Sequence, residues 1–207
     1  MNKKKEKVLV VPREIFFKKE YWQGIKTKDL DYYLELIRNN HSFKAREEVE
    51  ENDSWQQVIP YILFNYQDRF FAYYYLDKAN ESRLVNNYIL GVGGHINLID
   101  LAPGEDLFQK AANREWEEEV SYQGNLLEKK LVGIVNYDGR AVEAVHLGLV
   151  YHFTGDSPAI SVREKDVLKG ELVSLSDLAE YVKNTEGWTP IIFNEYLSQF
   201  LDAKKSL

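Results

Sequence analysis

The sequence predicts an α/β protein built on a mixed β-sheet, and three observations carry that reading. Runs rich in β-branched and aromatic residues recur from Lys7 to Val173, and segments with helical apolar spacing fall between and after them. Neither type segregates to one half of the chain, as it would in separate all-α and all-β parts. At 207 residues, 44% apolar and 14% aromatic, with no internal repeat or low-complexity stretch, the chain can bury a sizeable core.

The elements follow in order. Lys7 to Val11 reads as a short strand, and Leu30 to Arg38 as an amphipathic helix from the spacing of Leu30, Tyr33, Leu34 and Ile37. The polar run Lys44 to Ser54 is an exposed loop or short helix that separates an N-terminal extension, residues 1–55, packed on a main domain of 56–207. Gln57 to Tyr66 and Arg69 to Leu76 read as a hairpin turning at Asp68, and Asn87 to Ile96 as a further β-rich run holding Gly91, Gly93 and Gly94. Asp106 to Val120 is a helix, preceded by Pro103 and Gly104 and opened by acidic residues. Leu131 to Asn136 and Val145 to Phe153 are strands around an Asp138-Gly139 turn, and Glu171 to Val173 is a short strand. Leu175 to Lys183, capped by Ser174 or Ser176, and Pro190 to Leu201, behind Thr189, complete the set as helices. The aromatic run Phe70 to Tyr75 reads as core and cross-strand packing rather than a base-stacking platform.

Composition narrows the function. With no cysteine there is no disulfide and no thiolate metal site, which fits a reducing compartment. The net charge of −7 gives no basic patch for nucleic acid. The basic start, Met1 to Lys7, is followed only by the short apolar run Val8 to Val11, well below a secretory signal or membrane span. The expectation is a soluble, cytoplasmic protein with no nucleic-acid or membrane partner.

The chemistry concentrates in residues 93–120. Residues three and four apart share a helix face, so Glu115, Glu118 and Glu119 project together, with Phe108, Ala111 and Ala112 on that side, while Glu117 turns away. Like charges on one face repel and raise each other's pKa. A divalent cation relieves that cost, since Mg²⁺ favours carboxylate oxygen and keeps waters for phosphate ligands. Arg114, beside this face, is placed to hold one carboxylate in its ligating rotamer. Taken alone, a triplet of glutamates is more often a solvated helix face.

Read with its neighbours, the segment resembles the Nudix family. That pattern runs glycine, five residues, glutamate, seven residues, then Arg-Glu-apolar-x-Glu-Glu-x-Gly-apolar. Arg114-Glu115-Trp116-Glu117-Glu118-Glu119-Val120-Ser121-Tyr122 matches its second half, with Ser121 where the family has glycine. Gly93-Gly94 looks like the family's double glycine, and Gly104-Glu105 like its Gly-Glu before the helix. Gly94 to Glu105 spans eleven positions where the pattern has six, so the loop Ile96 to Pro103 is long. Counting back eight from Arg114 reaches Asp106, which leaves Glu105 or Asp106 for the upstream acid. The resemblance covers Val58 to Leu178.

The resemblance implies a Nudix-like α/β/α sandwich. It also implies Mg²⁺-dependent hydrolysis, with Mn²⁺ as an alternative ion, of a diphosphate linkage in a nucleoside diphosphate-type small molecule. Glu115 and Glu119 would be the main metal ligands with Glu118 assisting, and Arg114 would orient Glu115. The catalytic set is then Arg114, Glu115, Glu118 and a base from outside the helix. Glu143, Glu164 and Glu171 are the candidates, and Glu164, in a polar stretch between strands, is preferred. Gly94 and His95 are candidates for substrate contact, with a half-buried strand histidine an equal reading for His95. His146 and His152 read as satisfied sheet histidines or pocket lining, and Trp188 as a cleft cover or a helix anchor. The rival function is a non-catalytic Nudix-like nucleotide-binding or regulatory protein, and the first 55 residues are long enough for a homodimer contact.

Overall fold

The computed structural model describes residues 6–76 and 88–203. In chain order the first half holds β1 (Lys7–Pro12), α1 (Arg13–Phe16), β2 (Gly24–Lys26), α2 (Leu30–Asn40), β3 (Ser42–Ala45), α3 (Arg46–Val49), β4 (Trp55–Tyr66) and β5 (Arg69–Tyr75). The second half holds α4 (Leu107–Glu119), β6 (Val120–Tyr122), β7 (Leu126–Asn136), α5 (Ala141–Ala144), β8 (His146–Gly155), β9 (Ile160–Val162), β10 (Leu168–Ser174), α6 (Leu175–Tyr181), α7 (Trp188–Ile192) and α8 (Gln199–Ala203).

Among the described residues, eight strands form one mixed sheet in the order β10-β5-β4-β8-β7-β2, with β1 joined to β4 and β3 to β1. β4 and β8 run parallel at its centre and their other neighbours are antiparallel. Period-two alternation splits β4 between two cores: Ile62 and Phe64 face one side, Tyr61 and Leu63 the other. Tyr33 and Ile37 of α2 and Phe108, Ala111, Ala112 and Trp116 of α4 cover the first side. Leu175 and Leu178 of α6, Ile192 of α7 and the π-turn residues Phe193 and Leu197 cover the second. The result is an α/β/α sandwich. Ala111 and Ala112 have no exposed surface, so their small side chains seat α4 directly on the sheet.

Residues 6–55 supply β1, β2 and β3 to the large sheet; β1 pairs with both β3 and β4, and β2 with β7. Several expectations are corrected. The run at Asn87–Ile96 is no continuous strand: Asn87 lies outside the described residues, and from Tyr88 onward only isolated bridges form. A single helical turn, α5, interrupts the expected Asp138-Gly139 hairpin. The last helix is broken into α7, the π turn and α8, because the Phe193–Leu197 segment takes wider hydrogen bonds.

Candidate active site

The site grows out of a split in the sheet. β4 and β5 pair only next to their turn, at Asn65–Phe70 and Tyr66–Arg69, and then diverge. Residues 88–97 fill the opening as a wedge. Ile89 bridges to Tyr73 of β5, Val92 bridges to Ile62 of β4, and both contacts are antiparallel. Since β4 and β5 oppose each other, the wedge must reverse between Ile89 and Val92, and Gly91 sits in that reversal.

Space explains the glycines here. A Cβ on Gly91 would lie 2.1 Å from the Tyr61 ring, and one on Gly93 would lie 1.8 Å from the Pro60 carbonyl oxygen. At Gly94 it would meet Glu115 Oε2 at 2.6 Å. The backbone of Gly94 therefore lies against a carboxylate of α4, an approach only glycine permits.

Asp106 caps α4, accepting from the Gln109 amide at 2.9 Å, and pairs with Arg38 at 2.5 Å. Glu105 is exposed and stands 3.8 Å from Lys110. Neither approaches Arg114. The acid that does is Asp100, whose side chain is fully buried: Arg114 Nε donates to its Oδ1 at 2.7 Å and Nη2 to its Oδ2 at 2.9 Å. Asp100 ends a 3-10 turn, Leu98–Asp100, in which its carboxylate also accepts from the Asn97 amide at 2.8 Å. The same turn leaves Leu98, Ile99 and Leu101 exposed. Asp100 stands six residues after Gly94, the spacing of the Nudix pattern, so the six extra residues fall after the upstream acid and not before it. That interval was the available signal, and a search for glutamate beside the helix passes over it.

Arg114 is the hub. Besides Asp100 it donates to Glu115 Oε1 at 2.7 Å, Glu118 Oε2 at 3.0 Å and the His95 carbonyl at 2.9 Å. Burial alone would lower its pKa; the Asp100 hydrogen bond and the Glu115 and Asp100 charges outweigh that and hold it above the ordinary arginine value. Glu115 is 5% exposed, and burial pushes its carboxyl up to about 7 against the pull of Arg114, with Glu118 and Glu119 adding to the rise. Glu118 is exposed, Glu119 is half-buried, and Glu117 faces solvent.

The other predicted residues separate into near and far. The His95 ring turns away from Glu115: its Nε2 lies 2.8 Å from Gln57 Oε1 and 3.3 Å from His146 Nε2, so His95 reaches the charged cluster through its backbone alone. His152, between Asn65 and Tyr196 at 2.9 and 2.8 Å, lines a cavity of about 460 Å³ on the opposite side of the sheet. Trp188 packs edge-on against Tyr61, 5.4 Å between centroids, and a Cβ on Gly148 would meet its ring at 2.9 Å, so it anchors α7. Glu171 accepts from Tyr88 Oη at 2.5 Å. Glu143 pairs with Arg140 at 3.2 Å, and burial raises its carboxyl. Glu164 is exposed in the β9–β10 turn, which is fastened to the end of α4: the Arg163 amide donates to the Glu119 carbonyl at 2.9 Å, and Arg163 Nε donates to those of Glu117 and Val120 at 2.6 and 3.0 Å. Ser121 pairs with Ser161 in the β6–β9 ribbon and has no positive φ, so serine there carries no backbone strain.

No family model matches the chain. Protein YmaB of Bacillus subtilis (strain 168) is 31% identical over 203 residues, covering 93% of this chain and 98% of the relative. The crystal structure of Tm1382, a candidate Nudix hydrolase, superposes with a TM-score of 0.81 at 30% identity over 94% of this chain and all of that one. A bifunctional NMN adenylyltransferase/ADP ribose pyrophosphatase from Francisella tularensis, solved with AMP and a Mn ion, aligns over 70% of this chain and 42% of its own at 18% identity and a TM-score of 0.48, too loose to bear on this site.

Proposed function

The chain belongs to the Nudix family, and from that premise we propose that it is a divalent-metal-dependent hydrolase of phosphoric anhydride bonds in a nucleoside diphosphate-type small molecule. The observation that carries this reading is the Arg114 hub. One guanidinium answers three carboxylates, Asp100, Glu115 and Glu118, and the buried Glu115 is driven toward its neutral form. The residues fit a hard divalent cation: the donors are all oxygen, and Glu115 presents its second oxygen to the close-packed Gly94 backbone. Glu115 and Glu119 would hold Mg²⁺ or Mn²⁺, with Glu118 assisting. A bound divalent ion there supplies charge neutralisation for the diphosphate and acidifies a water.

The chain's own groups do the rest. Arg114 holds Glu115 in one rotamer and is itself locked by Asp100. The wedge backbone at Gly94 packs directly against that carboxylate. Glu164, carried by a turn fastened to α4, takes the proton from the attacking water; Glu171 is engaged by Tyr88, and Glu143 is half-buried beside Arg140 and Gly187. Among the described residues no helix is long and apolar enough to cross a membrane.

One observation favours a second reading, a nucleotide-binding regulator without turnover. Among the described residues no three histidine, aspartate or glutamate side chains converge in a ready metal cage. The two readings part in one experiment: nucleotide or phosphate release from a panel of diphosphate compounds in millimolar Mg²⁺ or Mn²⁺, comparing wild type with Glu119→Gln. The expected result is metal-dependent release that falls by more than about 100-fold in the variant, beyond what loss of an outer-shell partner costs. Metal-dependent ligand binding with no release would select the regulator.

A further inference from the structure

The wedge that carries Gly94 is held by two tyrosines arriving from opposite sides. Tyr61 rises from β4 into the core covered by α6 and α7, and its Oη accepts from the Gly91 amide at 2.9 Å. Tyr73 comes from β5 on the α4 side, and its Oη donates to the Gly91 carbonyl at 3.1 Å. Both polar groups of the residue at the reversal are thus satisfied by side chains of the two strands that diverge around it. No ladder can do this, because Gly91 lies between the Ile89 bridge to β5 and the Val92 bridge to β4. The arrangement is dense: the Tyr61 ring fills the place of a Gly91 Cβ, and Trp188 packs on that ring from behind. Burial raises the Tyr73 phenol well above its ordinary value, with smaller contributions from Tyr61, Tyr75 and Glu119.

We infer that Tyr61 and Tyr73 are positioning residues that clamp Gly91 and thereby fix the Gly94 backbone against the Glu115 carboxylate, setting how well the α4 carboxylates hold a divalent ion. The inference rests on the metal reading above. Its physical basis is leverage over a short distance: Gly91 and Gly94 are three residues apart, and a loosened reversal lets the backbone move by the few tenths of an ångström that a closely packed carboxylate cannot tolerate. Metal sites whose outer shell is lost weaken by about 10–100-fold.

The test uses the full chain and Mn²⁺ alone, by calorimetric titration, with Tyr61→Phe, Tyr73→Phe and, as a control, Tyr196→Phe. The control removes a part-buried phenol hydrogen bond, to His152 at 2.8 Å, on the opposite side of the sheet. The clamp predicts that Tyr61→Phe and Tyr73→Phe each weaken Mn²⁺ binding by about tenfold, within the outer-shell range. Tyr196→Phe is expected to leave it within twofold while melting at a similarly lowered temperature. Amide exchange at Gly91 is expected to accelerate in Tyr61→Phe without any metal. Weakening in Tyr73→Phe alone would overturn the clamp in favour of a direct action of that phenol on Glu119. Wild-type affinity in both variants would overturn it while the metal site stood. No Mn²⁺ binding by wild type would overturn the metal reading itself, and the clamp with it.

Discussion

His95 belongs to two polar clusters that handle burial in opposite ways. Through its carbonyl it joins Arg114, Asp100, Glu115 and Glu118, a charged cluster in which a single cation holds three anions. Through its ring it joins Gln57 and His146, a neutral cluster in which side-chain amides, imidazoles and the Val142 and Val49 carbonyls satisfy one another. Burial, with the neighbouring imidazole and Arg46, lowers the His95 pKa to about 3; burial also lowers that of His146, so both rings are neutral near pH 7. The neutral cluster carries no net charge, whereas the charged one sets three carboxylates against one guanidinium. A buried polar group earns a functional reading when its partners leave something over, not because it is buried.

The largest effect that would break this contrast is Arg114→Ala. It strands the fully buried Asp100 carboxylate, and breaking a buried pair typically costs about 3–5 kcal/mol, which denaturant unfolding would measure. A loss under about 1 kcal/mol, the scale of a surface pair, would mean that the hub is not load-sharing as described.

Next comes the metal. Mn²⁺ or Mg²⁺ at 100 times its dissociation constant is expected to stabilise the protein by about 2.7 kcal/mol. At this chain length that is a melting-temperature rise of roughly 5–11 °C. A flat titration would place the charged cluster beside the neutral one as purely structural.

Smaller still is the acid response of the histidine cluster. Its folded pKa values lie below the unfolded value of about 6.5, so its stabilising contribution is full above that pH and is lost as the pH falls toward the folded values. Stability is therefore expected to decline with acidification from about pH 6.5, and the double variant His95→Gln, His146→Gln to flatten that part of the curve. An unchanged slope in the double variant would assign the acid response elsewhere. Smallest is Glu105→Gln. Its exposed contact with Lys110 at 3.8 Å predicts no resolvable change in melting temperature or activity, whereas Asp100→Asn at the slot of the upstream acid lowers activity by about 10–100-fold.

Much of this was legible in the sequence. Helical spacing placed Glu115, Glu118 and Glu119 on α4 and brought Arg114 to them, and its limits, Leu107–Glu119 with Asp106 as cap, lie within a residue or two of the expected ones. Alternation and turn residues located β4, β5, β7 and β8, and Ser174 caps α6, accepting from the Asp177 amide. All of these are local signals, set by the repeat of one element and the chemistry of its ends.

The tertiary structure decided which distant segments meet. Nothing in Lys7 to Val11 names β4 as its partner or draws the Leu9 amide to the Ile96 carbonyl at 2.8 Å, and nothing in Gly24 to Lys26 names β7. Asp100 illustrates the reason. In sequence it is one polar residue within the apolar stretch Leu98 to Leu101, six positions after a glycine. Only when the 3-10 turn buries it against Arg114 does it become the anchor of the site, because the energy that selects it comes from a guanidinium fourteen residues away and the desolvation around both. Likewise the β-forming residues between Tyr88 and Ile96 carry a strand signal, yet the diverging β4 and β5 give that segment no single neighbour to pair with. It becomes a wedge, because hydrogen-bond geometry between strands, not local propensity, determines where a ladder can continue.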